Sequence, residues 1–94
     1  MIQIVINVLY DLKNIISNNE FIHINSVYDQ ISLLNTYYIN NIFSQSQKEV
    51  FEDLLHVYES TDNLVDCLSY IDELLDICLN ELSSENSDEN NYIL

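Results

Sequence analysis

Carboxylates are the side chains of this sequence whose number and spacing could do chemistry. The stretch STDNLVDCLSYIDELLDICLNEL, residues 60–82, carries acids at successive helical turns and no basic residue. Helices usually offset such acids with Lys or Arg one turn away. Like charges at this spacing cost about 0.2–0.5 kcal/mol per pair in isolated helices. A row of acids that repels itself therefore indicates that something outside the chain binds it.

Catalytic chemistry lacks its usual partners in this sequence. The only histidines are His23 and His56, and the acids around His56 are accompanied by no nucleophile. A Gly-rich phosphate loop is excluded because the chain contains no glycine. We therefore expect no enzymatic activity and a surface position for His56.

Metal and disulfide chemistry are equally unsupported. No zinc-ligand spacing is present, and Asp62, Asp66 and Glu73 do not follow the EF-hand loop, which requires a glycine. Cys67 and Cys78 fall on one predicted helix, separated by roughly 16 Å of rise, which is too far for a disulfide. We expect no metal, no cofactor and two buried free thiols.

Net charge is the strongest functional signal. Sixteen acids face two lysines, Lys13 and Lys48, which gives a formal net charge of −14, and thirteen of the acids follow residue 48. Direct nucleic-acid binding needs Lys and Arg to neutralise phosphates, and an anionic membrane surface would repel this chain. A basic protein partner fits the charge, and enhanced solubility is the alternative explanation.

Helical periodicity indicates the elements that position the acids. Residues 2–18 alternate like a strand near Ile2, Ile4 and Ile6, but the helical pattern is longer and no second strand candidate exists. Further helices are predicted at about residues 26–43, 47–59 and 62–82. Capping-box spacing at Ser26 and at Ser46 marks two of the starts, and residues 60–63 offer several N-cap candidates for the last.

These segments predict an all-α fold, a small bundle of about four antiparallel helices. Residues 1–84 are expected to form one helical domain, and residues 85–94 an acidic, flexible C-terminal tail. Because the chain has no glycine, we expect Asn or Asp wherever a turn needs a positive φ angle, with Asn18 or Asn19 ending the first helix.

Helical angles place the acids of the fourth segment opposite its apolar stripe, over an arc of about 120° at 100° per residue. Tyrosines beside them are either interface anchors or core residues. Charge reversal at Asp66 and Glu73 should weaken binding of a partner strongly. The predicted partner-binding residues are Glu49, Glu52, Glu59, Asp62, Asp66, Asp72, Glu73, Asp76, Tyr58 and Tyr70.

The stretch KEVFEDLLHVYESTDNLVDCLSYIDELLDICLNEL, residues 48–82, resembles the small, acidic, all-helical immunity proteins of bacterial toxin systems, of the contact-dependent inhibition and bacteriocin types. Short amphipathic helices, outward acids and interspersed tyrosines carry this resemblance. It implies a non-catalytic protein that binds a basic nuclease toxin and blocks its active site or an adjacent surface. It assigns no role to an individual residue.

Two other functions fit the same residues. A phage-encoded anti-CRISPR or other anti-defence protein that mimics nucleic acid would have the same size and charge. A helical structural module could instead self-associate through Tyr70, Leu74 and Ile77, so a monomer and a dimer are both open. The N-terminal stretch lacks the basic region and cleavage site of a signal peptide and is too short to span a bilayer, which favours a cytoplasmic location.

Overall fold

The computed structural model describes residues 2–18 and 24–93, and the side-chain surroundings of residues 2–17 and 25–83. No strand occurs in these ranges, so the predicted all-α bundle is confirmed and the first segment is a helix. The elements are α1 (Ile2–Asn18), α2 (Ile24–Ile39), α3 (Gln45–Ser60), a 3₁₀ helix (Leu64–Cys67) and α4 (Leu68–Ile93).

One hydrophobic core joins the four helices. Each helix contributes the apolar stripe that its periodicity predicts, and α4 lies at the centre of the bundle with α1. The fully buried side chains, each less than 2 % exposed, include Leu9, Leu12, Val27, Leu34, Phe51, Leu54, Cys67, Ile71, Leu74 and Cys78.

The helix order around the core follows from the contacts between elements. Helix α1 packs against α2 on one side and α4 on the other, and α3 packs against α4. Lys13 near the end of α1 pairs with Asp72 near the start of α4. Ile2 at the start of α1 lines a cleft with Glu81, which is farther along α4. Helices α1 and α4 are therefore antiparallel neighbours.

Helix α2 ends at Ile39, and an asparagine two residues later takes the place of the usual glycine. Asn41 has a φ of 60°, the left-handed value expected for an Asn or Asp in a chain without glycine. Its N–H donates to the Tyr38 carbonyl at 3.1 Å, and the Ile42 N–H donates to the Tyr37 carbonyl at 3.1 Å. This pair of bonds is a Schellman motif, and it turns the chain toward α3. Of the two positions expected to end α1, Asn18 is the last residue of that helix, and Asn19 lies outside the described residues.

Two predicted capping boxes are wrong. Helix α2 begins at Ile24, so Ser26 lies inside the helix and does not cap it. Helix α3 begins at Gln45 behind Ser44, whose side chain accepts from the Gln47 N–H while Gln47 accepts from the Ser44 N–H. The capping box therefore starts two residues before Ser46, which lies in the first turn of the helix.

Helix α4 starts later than its periodicity suggests, because a turn and a 3₁₀ helix separate it from α3. Thr61 ends α3 with its N–H donating to the Val57 carbonyl at 2.8 Å. Asn63 then caps the 3₁₀ helix by accepting from the Val65 N–H at 3.1 Å. Helix α4 continues through Ile93, beyond the expected end at residue 82. The flexibility expected of residues 85–94 stays a prediction.

Candidate interaction surface

The carboxylates of α3 are turned away from the core by its helical period. Gln47, Val50, Phe51 and Leu54 form the buried side. The acids Glu49, Glu52 and Glu59 fall on the opposite side and are exposed, as predicted, and His56 is exposed among them. The other histidine, His23, lies outside the described residues.

Helix α4 presents its acids in the same way. Ile71, Leu74 and Leu75 are buried, whereas Asp72, Glu73 and Asp76 are exposed. The prediction that these acids lie opposite the apolar stripe is therefore confirmed for the helix itself.

Asp62 and Asp66 are exposed but do not belong to α4. Asp62 lies in the connection, and Asp66 lies in the 3₁₀ helix. The expected helix start at Asp62 is wrong because Thr61 and Asn63 hold an alternative turn with their side chains. Thr61 Oγ1 accepts from the Asn63 N–H at 3.0 Å, and Asn63 Oδ1 accepts from the Val65 N–H at 3.1 Å. Short polar side chains compete with helical hydrogen bonds in this manner.

Four of these acids have partners within the chain, which corrects the expectation of an unpaired row. Glu49 accepts from Gln45 Nε2 at 3.4 Å. Asp72 accepts from Lys13 at 2.7 Å in an ion pair between α4 and α1. Glu52 accepts from the Tyr38 hydroxyl at 2.8 Å, and Asp66 accepts from Thr61 Oγ1 at 2.6 Å. The carboxylates therefore raise the pKa of Lys13 and of Tyr38, in both cases first through the hydrogen bond.

Tyr58 and Tyr70 are half-buried and pack against the core. Burial raises the pKa of Tyr58, and the neighbouring Tyr28 and Cys67 add smaller contributions. Both tyrosines thus support the bundle through their rings while part of each side chain remains at the surface. Packing and partner contact are compatible roles at these two positions.

Both cysteines are free and buried, as the sequence predicts. Burial raises the pKa of the Cys67 thiol and raises that of Cys78 to about 12, with the Glu81 carboxylate adding to the second. Within the described residues, no group of three or more His, Cys, Asp or Glu side chains converges to hold a metal ion.

Sequence reasoning missed a cleft at the end of the bundle where α1 and α3 begin. We call it the end cleft. It has a volume of about 290 Å³ and is lined by Ile2, Val5, Ile42, Phe43, Ser44, Gln47 and Glu81. The Ser44–Gln47 spacing is a capping signal in the sequence, but nothing in the sequence places Glu81 beside it.

A polar network forms one wall of the end cleft. Gln47 is 3 % exposed, and its Nε2 donates to Glu81 Oε2 at 2.6 Å and contacts the Cys78 sulfur at 3.6 Å. Ser44 Oγ donates to Glu81 Oε1 at 2.9 Å. Each Glu81 oxygen is thereby fixed by one neutral donor from the start of α3.

Together, the fold and its exposed carboxylates define a small all-α bundle with an acidic surface on α3, the 3₁₀ helix and α4. No family model, curated protein or solved structure matches the chain. None of the described helices is both long and apolar enough to cross a membrane.

Proposed function

We propose that the protein is a non-catalytic inhibitor that binds a basic, nucleic-acid-acting protein through its exposed carboxylates. The main observation that supports this proposal is the exposure of the eight acids at positions 49, 52, 59, 62, 66, 72, 73 and 76. We refer to these residues as the acidic surface. A basic partner would relieve their mutual repulsion and associate faster through long-range attraction.

The distribution of the two lysines supports this proposal. Lys13 pairs with Asp72, and Lys48 donates to Asn41 at the end of α2. No ion pair reaches Glu59 or Glu73 within the described part of the chain. These two acids therefore remain available to cations from outside.

The favoured biological role is immunity against a nuclease toxin, in line with the resemblance of residues 48–82 to toxin-immunity proteins. Carboxylates along rigid helices would occupy sites that the toxin uses for phosphates. A phage anti-CRISPR or other anti-defence role uses the same chemistry, and the identity of the captured partner separates the two.

Self-association through α4 has less support. Leu74, which a second copy would cover in that alternative, is fully buried within the single chain. Tyr70 and Ile77 already pack against the same core. The apolar face of α4 is thus used by the bundle itself.

The first test is capture from a lysate of the source cell with elution by rising salt and identification by mass spectrometry. A basic nuclease toxin that elutes at high salt would support immunity, and a CRISPR or restriction component would support the anti-defence role. If no basic protein is retained at low salt, the proposal is wrong.

Charge-reversal variants then test the surface on the captured partner. Glu59→Lys and Glu73→Lys should each weaken binding about tenfold or more at low salt. Asp11→Lys and Asp29→Lys are matched controls because they change net charge equally at exposed positions of α1 and α2. Equal losses in all four variants would mean that net charge, and not this surface, determines binding.

A further inference from the structure

The end cleft combines apolar walls with one fixed carboxylate. Ile2, Val5, Ile42 and Phe43 supply the apolar part, and Glu81 supplies the charge. Its volume of about 290 Å³ lies at the lower limit of small-molecule sites, which suits a single long side chain.

The Glu81 carboxylate retains capacity for another donor. Its two oxygens offer about four acceptor positions, and Ser44 and Gln47 occupy one on each oxygen. Both donors are neutral, so they orient the carboxylate without cancelling its charge. Among the described lysines, Lys13 pairs with Asp72 and Lys48 bonds to Asn41.

These features match the chemistry of arginine. Its methylene stem packs along apolar side chains while its head stays polar, and its planar guanidinium donates two parallel hydrogen bonds to a carboxylate. Arginine in a pocket is also a common energetic anchor of protein interfaces.

We propose that the end cleft binds one arginine side chain of the basic partner, with the stem on Ile42 and Phe43 and the guanidinium on Glu81. This proposal rests on the proposed function, because the arginine belongs to that partner. It adds an anchor outside the acidic surface, at the end of the bundle where α1 and α3 begin.

A direct test uses butylguanidinium, which reproduces the arginine side chain together with its Cα carbon, and the full chain labelled with ¹⁵N. Any affinity tag follows residue 94, because Ile2 lines the cleft. Amide resonances of Val5, Phe43, Gln47 and Glu81 should shift saturably. Guanidinium chloride, which has no stem, should produce much weaker shifts at the same ionic strength.

Two variants make this titration specific. Glu81→Gln should weaken butylguanidinium binding about tenfold, because it removes a charged hydrogen bond. Asp29→Asn is the matched control, because Asp29 is an exposed acid of α2 outside both the end cleft and the acidic surface, and it should leave affinity unchanged. Ile42→Ala shortens an apolar wall of the cleft and leaves the polar network intact. It should weaken the binding of butylguanidinium but not the weak binding of guanidinium. This variant keeps the test decisive if Glu81→Gln does not fold.

Non-saturating shifts spread over the exposed acids would overturn the proposal, as would unchanged affinity in both Glu81→Gln and Ile42→Ala. Binding to the captured partner then distinguishes failure of the arginine anchor from failure of the proposed function. Weaker partner binding by Glu81→Gln than by Asp29→Asn supports the arginine anchor. Equal binding by Glu81→Gln and wild type overturns the anchor alone, whereas failure of the wild-type protein to retain any basic protein at low salt overturns the proposed function.

Discussion

The hydroxyl of Tyr38 on α2 donates to the Glu52 carboxylate on α3 at 2.8 Å. The Tyr38 ring also packs on Phe51 with centroids 5.4 Å apart. A carboxylate of the acidic surface therefore helps to hold α2 against α3. Charge reversal at Glu52 would disturb the fold as well as binding, which is why Glu59 and Glu73 are better tests of the surface.

Tyr38→Phe should lower the thermal midpoint by a few degrees at most, because it removes this exposed hydrogen bond and keeps the ring. Tyr37→Phe is the control, since Tyr37 is half-buried and its hydroxyl has no hydrogen bond within the described part of the chain. Thermal unfolding followed by circular dichroism compares the two. A larger loss for Tyr37→Phe would show that the Tyr38–Glu52 bond does not stabilise the bundle.

Ser44→Ala should reduce the free energy of unfolding by about 1–2 kcal/mol, because Ser44 is the N-cap of α3. Ser46→Ala should change it by no more than about 0.5 kcal/mol, the usual range for a surface position. Urea unfolding of both variants measures the difference. Similar losses at the two serines would contradict the assigned helix start.

Alkaline pH should destabilise the fold through Cys78. Its ordinary thiol pKa of 9.0 rises to about 12 on folding, so the folded state holds the proton more tightly. This contribution to stability is complete below pH 9 and is lost as pH rises toward 12, by up to about 1.4 kcal/mol per pH unit.

The check is urea unfolding with a reductant at several pH values between about 8 and 10.5, on wild type and Cys78→Ala. The variant should show a shallower decline of unfolding free energy above pH 9. Some decline should remain, because burial also raises the pKa of Cys67 from its ordinary 9.0 and, at the upper end of this range, that of Tyr58 from its ordinary 10.0. Parallel curves would exclude Cys78 as a source of the pH dependence.

Moderate salt should stabilise the folded protein because it screens repulsion among the exposed acids. Raising NaCl from about 20 mM to about 200 mM should increase the free energy of unfolding by about 1 kcal/mol. Glu73→Gln should raise stability at low salt and reduce the salt dependence, whereas Lys13→Met should lower stability by removing the pair with Asp72. Stability that does not change with salt would mean that the carboxylates do not strain the fold.

Much of the fold was predictable because helical periodicity reports burial directly. The stripes of Val27, Ile31 and Leu34 in α2 and of Ile71, Leu75 and Cys78 in α4 are buried as their spacing requires. Both thiols were predicted for the same reason. Local patterns are sufficient for such features, because each depends on one helix alone.

Features that depend on two helices were not predictable. The Lys13–Asp72 pair requires α1 and α4 to be antiparallel neighbours, and no residue pattern states which helices adjoin. The cap lies at Ser44, although Glu49 fits the standard box with Ser46. Gln47 completes the Ser44 box and also donates to Glu81 in α4, a contact between helices that no local pattern shows. The end cleft was missed for the same reason.

The two buried cysteines are natural probes of local unfolding, because their thiols become accessible only when the helices around them separate. Cys67 precedes α4, whereas Cys78 lies three turns later beside Gln47, so they monitor different ends of the core. A thiol reagent reaches either sulfur only when the surrounding helices separate. Equal labelling rates at the two positions would indicate that the bundle opens as one cooperative unit, and unequal rates would show which end separates first.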